Sequence, residues 1–359
     1  MLQLSTPQPA RHPAPTVKAR RLAYLIWERP DLERAEAFLG AFGLTVAHRT
    51  ATELFLRGTA AAPYCYVVRK AAKARFVGFG LELASRDDLQ KVADIVPAAG
   101  TIESLATPGG GEVVRLTDPS GFVVEAVHGQ QAYAALPHRT PLARFNTVDG
   151  NPRVNATQRV PSDVPQVVKL GHVVLELANF QETCGWYTRH FGFIPSDVQV
   201  LSDGSPAVTF MRLDLGDVPA DHHTLALVQG VVATYSHSAY ELVDSDAVGM
   251  GQRVLRERGY RHAWGLGRHI LGSQIFDYWQ DPWGDKHEHY SDGDVFTSEL
   301  PTGVHAVSRE AMAQWGPPLP AEFTRPKLSL GMLVELVRNL RRSPDLSLRK
   351  VREMARLFG

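Results

Sequence analysis

The chain has 359 residues, 44% of them hydrophobic and 21% charged, a composition suited to a globular protein of about two domains. Lys+Arg and Asp+Glu both total 38, so the formal charge is zero, which argues against a domain built to neutralise phosphates, and no nucleic-acid partner is expected. No apolar run approaches a membrane span, the N-terminus lacks the apolar core of a secretory leader, and two cysteines, Cys65 and Cys184, exclude a disulfide scaffold; a cytoplasmic protein without a membrane partner is expected.

Residues 1–20 are rich in Pro, Ala and Arg, contain no acid, and read as a flexible arm. An internal repeat follows, its copies spanning 21–132 and 167–296, joined by a linker at 133–166 rich in Pro, Asn and Arg. Each copy opens on an apolar strand, passes a polar turn, and enters a helix ending in an aromatic–glycine pair, Phe42-Gly43 or Phe191-Gly192. A strand carrying Glu-Leu then leads into a second helix, at LELASRDDLQKVADIV and YELVDSDAVGMGQRVLRERG. Near its end each copy has a tight Asp-Pro-x-Gly turn, from Asp118 and Asp281, followed four residues after the glycine by glutamate, Glu125 or Glu288. After 296 the composition changes. The proline-rich stretch 315–326 is expected to be neither helix nor central strand. The remainder of the tail, 297–359, ends in two basic amphipathic helices split by Ser343-Pro344, expected to be solvated or to pack between subunits.

Chemistry concentrates in the second copy. Glu288 lies between His287 and His289, and strand alternation sends the glutamate to one face and both histidines to the other, so the three cannot chelate one ion. His172 opens the first strand of the copy and His237 sits at the start of a later one. Either alone is more often a core residue than a ligand. Alignment of the copies places Tyr24 opposite His172 and Gly78 opposite His237, with only Glu125 answering Glu288. Two imidazoles and a carboxylate at the beginning, middle and end of one module suit a facial site for non-haem Fe(II), or a hydrolytic zinc.

The stretches Gly265-Leu266-Gly267-Arg268-His269, Phe276 to Gly284, and Glu288-His289-Tyr290 resemble the signature of type I extradiol ring-cleavage (catechol 2,3-) dioxygenases, members of the vicinal oxygen chelate (glyoxalase–bleomycin resistance–dioxygenase) superfamily. The resemblance covers roughly 20–296. It implies an α+β fold of tandem βαβββ modules, each repeat a curled mixed sheet around a pocket, with a metal in the C-terminal pocket only. It also implies His172, His237 and Glu288 as ligands of Fe(II), or of Mn(II). His223, in Asp221-His222-His223-Thr224-Leu225, becomes the active-site acid–base, and alternation along that strand should turn His222 away. His269 matches a histidine that hydrogen-bonds substrate or oxygen, and Tyr278 the tyrosine that contacts the catecholate oxygen. The implied activity is ring cleavage of a catechol beside the diol, with both atoms of O2 incorporated, in the breakdown of aromatic compounds.

Arg261-His262-Ala263-Trp264 precedes the Gly-Arg-His segment, where carboxylate-reading relatives tend to carry an arginine; a neutral catechol bearing an alkyl or aryl group is the expectation here. By analogy the chain is expected to form a homo-oligomer. Two other readings stand beside this one: a glyoxalase-type metal-dependent isomerase or lyase, and a noncatalytic apolar-ligand-binding protein of the bleomycin-resistance kind. The first draws ligands from both modules, which Tyr24 and Gly78 cannot supply; the second needs neither a metal triad nor His223.

Overall fold

A computed structural model describes residues 7–95, 101–141, 145–324 and 330–358. The first repeat contains β1 (Ala19–Arg29), α1 (Leu32–Ala41), β2 (Thr45–Arg49), β3 (Glu53–Arg57), β4 (Tyr66–Lys70), β5 (Arg75–Leu83), α2 (Arg86–Ile95), β6 (Glu103–Ser104), β7 (Glu112–Thr117) and β8 (Val123–His128). The second contains β9 (Val167–Leu177), α3 (Phe180–Phe191), β10 (Ile194–Val200), β11 (Pro206–Arg212), β12 (Ala220–Asp221), β13 (Leu225–Gln229), β14 (Thr234–Leu242), α4 (Ser245–Glu257), β15 (Arg261–Arg268), β16 (Ile275–Gln280), β17 (Lys286–Ser291) and β18 (Val295–Phe296). Beyond it lie β19 (Gly303–Ala306), α5 (Ala321–Thr324), α6 (Leu330–Arg342) and α7 (Leu348–Phe358).

The strand orders are β2-β3-β4-β1-β5-β8-β7-β6 and β15-β16-β17-β14-β9-β13-β11-β10-β19. Read in reverse and without β19, the second is the first over again. Each repeat therefore holds the βαβββ unit twice, once opened by β1 or β9 and once by β5 or β14, with the two opening strands paired antiparallel at the sheet centre. The helices form where the sequence supplies caps. Asp31 accepts from the Arg34 amide at the start of α1 and Asp244 from the Ala247 amide at the start of α4, while Gly192 at φ +70 ends α3.

The two Asp-Pro-x-Gly turns are the clasps between the repeats. In each, the aspartate Oδ1 accepts two turn amides at 2.9 Å: those of Ser120 and Phe122 for Asp118, and those of Trp283 and Asp285 for Asp281. The other oxygen reaches across the molecule. Asp118 Oδ2 accepts from the Tyr187 hydroxyl of α3 at 2.8 Å, and Asp281 Oδ2 from Arg29 Nη2 at 2.8 Å. Arg29 is buried and its guanidinium lies over the Trp27 and Trp283 rings. One continuous apolar core, from Trp27 and Phe42 in the first repeat to Tyr240 and Trp279 in the second, fills the space between them.

Three regions outside the repeats differ from the sequence expectation. The arm does not stand free over its described part: Gln8 donates to the Gly204 carbonyl, and Arg11 and Lys18 both bind the buried Asp214 carboxylate; residues 1–6 lie outside the described residues. The proline-rich stretch contains one helical turn, α5, because Pro320 stands just before it, where a missing N–H costs nothing. The tail also does more than cover a surface. β19 pairs parallel with β10, and α6 and α7 are stapled to the second repeat by Asn339 to the Val231 carbonyl and Ser343 to the Ala178 carbonyl, while Glu353 accepts from the Ser202 amide. Their apolar stripes cover something buried, and the sequence pattern alone did not say what. Among the described residues no helix is long and apolar enough to cross a membrane.

Candidate metal centre

Register alone brings the three expected ligands together. On β14, Ala239 lies opposite His172 of antiparallel β9 and opposite Glu288 of parallel β17. Residues paired directly across neighbouring strands share a face, and His237, two residues before Ala239, shares it too. Ala239 is fully buried, and its methyl group leaves the space above it to the three longer side chains. One ligand atom from each of His172, His237 and Glu288 lies within 4.8 Å of the other two. His172 Nε2 and His237 Nε2 stand 3.3 and 3.6 Å from Glu288 Oε2. His287 and His289 turn to the opposite face, as alternation requires: His287 Nε2 meets the Tyr66 hydroxyl at 3.0 Å and His289 Nε2 the Phe42 carbonyl at 2.7 Å.

The donor set fits a divalent cation. Glu288 is wholly buried, and neither of its oxygens has a hydrogen-bond donor in good geometry. A buried carboxylate with both oxygens orphaned costs several kcal/mol unless a positive charge meets it. Burial pushes its carboxyl up, but the His172 and His269 imidazoles reverse this and hold it well below the usual carboxylate range. Burial above all pushes His237 well below the usual imidazole value, against the pull of Glu288, so its nitrogen offers a lone pair rather than a proton at neutral pH.

Around this triad stand the other expected residues. Tyr278 of β16 lies directly opposite Glu288. Its hydroxyl is 2.9 Å from His269 Nε2, and His269 Nδ1 is held by the Met312 carbonyl at 2.8 Å. Burial, then Glu288, keeps Tyr278 a neutral phenol well above its usual value. His223 packs against His172 with ring centroids 3.9 Å apart, and burial, then the neighbouring imidazoles, push it well below its usual value. His222 stays off the cavity, as expected, but strand alternation is not the reason. Residues 222–224 form a bend between β12 and β13 rather than continuous strand, so alternation does not apply. His222 is buried behind His223 and meets it, Nδ1 to Nδ1, at 2.9 Å.

His172, His223, His237, His269 and Tyr278 line one end of a cavity of about 420 Å³. The rest is mostly apolar, with Val174, Phe210 and Val228 from the sheet and a roof of Met332 and Leu336 from α6 with Val351 and Met354 from α7, though Glu176, Gln199, Gln229 and Gln274 also line it. These roof residues were missed in the sequence, where an amphipathic stripe marks a buried face without naming its partner. No arginine or lysine occurs among the described lining residues, and Glu176 is the only carboxylate. Arg261 is exposed at the start of β15 and does not line the cavity.

The first repeat holds the counterpart positions in a different state. Tyr24, Gly80 and Glu125 are in mutual register as His172, Ala239 and Glu288 are, and Arg115 lies opposite Glu125 as Tyr278 lies opposite Glu288. Glu125 accepts from the Tyr24 hydroxyl at 2.7 Å and from Arg115 Nε at 3.1 Å, so its charge is already answered. Among the described residues, no imidazole stands at these counterpart positions for a ligand set shared between the modules.

Comparison with known proteins follows the same division. Residues 169–288 match the family model of the Glyoxalase/Bleomycin resistance protein/Dioxygenase superfamily. Metapyrocatechase 2 of Cupriavidus necator is 30% identical over 324 residues, 88% of this chain and 96% of that protein. An iron-dependent extradiol dioxygenase of Rhodococcus jostii (strain RHA1) is 32% identical over 225 residues, 57% of this chain and 66% of that one. Among solved structures, homoprotocatechuate 2,3-dioxygenase from Arthrobacter globiformis superposes with a TM-score of 0.71 at 21% identity, over 91% of this chain and 98% of the other. The Mn(II)-bound glyoxalase from Novosphingobium aromaticivorans gives 0.73 at 24% identity, over 88% and 97%. At such identity these two structures establish the fold alone.

Proposed function

The chain belongs to the type I extradiol dioxygenases of the glyoxalase/bleomycin resistance protein/dioxygenase superfamily, and on that premise we propose which residues carry its reaction and what it accepts. It is an iron-dependent enzyme that opens the ring of a catechol-type substrate beside the diol, incorporating both atoms of dioxygen. One observation carries the site assignment: a buried carboxylate without a well-aligned donor, met by two imidazoles from neighbouring strands, at the end of a mostly apolar cavity.

His172, His237 and Glu288 would hold Fe(II), or Mn(II) in its place. When bound, the ion supplies Lewis acidity toward the diol oxygens and the electron exchange that dioxygen needs. Every other task falls to the chain. His223, neutral because it is buried, is placed to take a proton from a catechol hydroxyl at its cavity-side nitrogen and to return it as the ring opens. Tyr278 and His269, already hydrogen-bonded to each other, orient the diol from the opposite side. The roof from α6 and α7 keeps water away from the reacting carbons.

The substrate reading is a neutral catechol with an apolar alkyl or aryl substituent. A carboxylated substrate would bury its charge in a cavity whose described lining offers no arginine or lysine and does offer Glu176. We divide the chain as the sequence does, with a first repeat that binds no metal and a second that catalyses. The homo-oligomer remains the proposed assembly, and α6 leaves Val334 and Val337 exposed on its outer face for such a contact. Both cysteines are buried and free, which suits the cytoplasm. The test is anaerobic purification with an iron assay, then oxygen uptake with 3-methylcatechol and with a carboxylated catechol. One iron per chain and faster turnover of the neutral substrate are expected. Preference for the acid would overturn the substrate reading, and a metal-free enzyme of full activity would overturn the ligand assignment.

A further inference from the structure

The roles assigned above leave one buried imidazole next to the site without a task. His222 is 1% exposed, and both ring nitrogens are engaged: Nδ1 with His223 Nδ1 at 2.9 Å and Nε2 with Asp197 Oδ2 at 2.7 Å. The other oxygen of Asp197 is 2.6 Å from Nε2 of His305, which stands at the surface on β19. The four groups form a row from the cavity to solvent. Their setting is close-fitting. A Cβ on Gly303 would lie 2.1 Å from Asp197 Oδ1, and one on Gly272 would lie 3.0 Å from His222 Nδ1. The Ser196 hydroxyl donates to the His222 carbonyl at 2.6 Å, and Arg212 Nη1 donates in turn to Ser196 Oγ at 3.0 Å.

The proton positions follow from one end. A carboxylate only accepts, so His222 Nε2 carries hydrogen. Burial pushes the Asp197 carboxyl up, yet its bonds to His222 and His305 hold it below the usual value, so it remains that acceptor at neutral pH. A neutral His222 with hydrogen on Nε2 has a lone pair on Nδ1. Only a donor can approach such a lone pair to 2.9 Å, so with His222 in this form His223 carries its hydrogen on Nδ1. The second nitrogen of His223 is then bare on the cavity side.

We infer that His222 and Asp197 are positioning residues that fix His223 in the tautomer whose bare Nε2 meets the substrate. The inference rests on His223 as the acid–base of the proposed reaction. When a catechol O–H breaks and the proton joins Nε2, the imidazolium formed keeps an acceptor at Nδ1, with the Asp197 anion behind it. This is the service an aspartate performs for a catalytic histidine in hydrolytic triads, here delivered through an intervening imidazole.

The test compares two replacements of His222. His222→Phe keeps a planar ring in a site already walled by Phe210 and Phe296, but removes the acceptor. His222→Asn is smaller and polar, and its carbonyl stands near the position of Nδ1. We expect His222→Phe to keep one iron per chain and its KM within about twofold while kcat falls roughly 10–100-fold, and His222→Asn to recover most of the loss. A purely structural role predicts the reverse order. Full kcat in His222→Phe, or equal loss in both variants, would overturn the inference. Should His222→Phe fail to fold, Asp197→Leu, at the outer end of the row, carries the same expected fall in kcat and the same contrary outcome. The control is His223→Ala. If that variant turns over normally, the acid–base assignment has failed; if it is impaired while the His222 and Asp197 variants are not, only this inference has.

Discussion

The two repeats share a strand order, a pair of clasping turns and a buried glutamate at the same register, yet among the described residues the cluster able to hold a metal lies in the second. The difference is how the glutamate is answered. Glu125 is met by the Tyr24 hydroxyl and the Arg115 guanidinium, both part of the chain. Glu288, at the equivalent place, has imidazole nitrogens 3.3 and 3.6 Å away and no well-aligned donor. The steric setting agrees. Gly80 is glycine because the Tyr24 ring lies where its Cβ would be, 2.7 Å away, whereas Ala239 at the same register keeps its methyl beneath the triad. Gly78, the counterpart of His237, has the Val123 carbonyl 1.9 Å from a Cβ position, so no side chain fits there without moving β8. A protein carboxylate in this fold is thus either neutralised by the chain or kept for a cation.

That contrast is breakable at graded cost. The largest effect is expected at the ligands: Glu288→Gln or His172→Ala should abolish stoichiometric iron and with it catechol-dependent oxygen uptake, read by metal assay after anaerobic purification. Next, His223→Ala should keep iron and lose activity by about 10²–10⁴-fold, the scale of a positioned acid–base group, as measured by steady-state oxygen consumption. The clasps give a smaller, structural comparison. Arg29→Met strands the buried Asp281 carboxylate and should cost about 3–5 kcal/mol. Tyr187→Phe removes one hydrogen bond from Asp118 and should cost about 1–3 kcal/mol. Urea unfolding of the two variants checks the order. The smallest catalytic effect is expected at Glu125→Gln, which should leave iron content and kcat unchanged. A fall in bound iron there would mean that the first repeat takes part in metal binding.

How much of this was legible in the sequence depends on whether the signal was local. The repeat, the Asp-Pro-x-Gly turns and the inward Glu288 with outward His287 and His289 all follow from periodicity and turn chemistry, and strand register does the rest. His172 and His237 gained weight from the repeat, since Tyr24 and Gly78 showed the positions to be variable within a constant frame, and from the resemblance to extradiol dioxygenases. His222 lies off the cavity as expected, but not through strand alternation, because the backbone bends at residues 222–224. The roles of α6 and α7 were not legible, because a stripe of Leu, Val and Met states that a face is covered, and only the fold shows that it covers the cavity. The arm was read as free for a related reason: its contacts with Asp214 are made by long cationic side chains that look solvated in sequence.

The measurement that bears most directly on the central claim is anomalous diffraction at the iron edge from crystals of the anaerobically iron-loaded protein. The account predicts a single iron peak per chain, within bonding distance of His172 Nε2, His237 Nε2 and a Glu288 oxygen, and none beside Glu125. A peak in the first repeat, or one in the second repeat that either imidazole fails to reach, would contradict it.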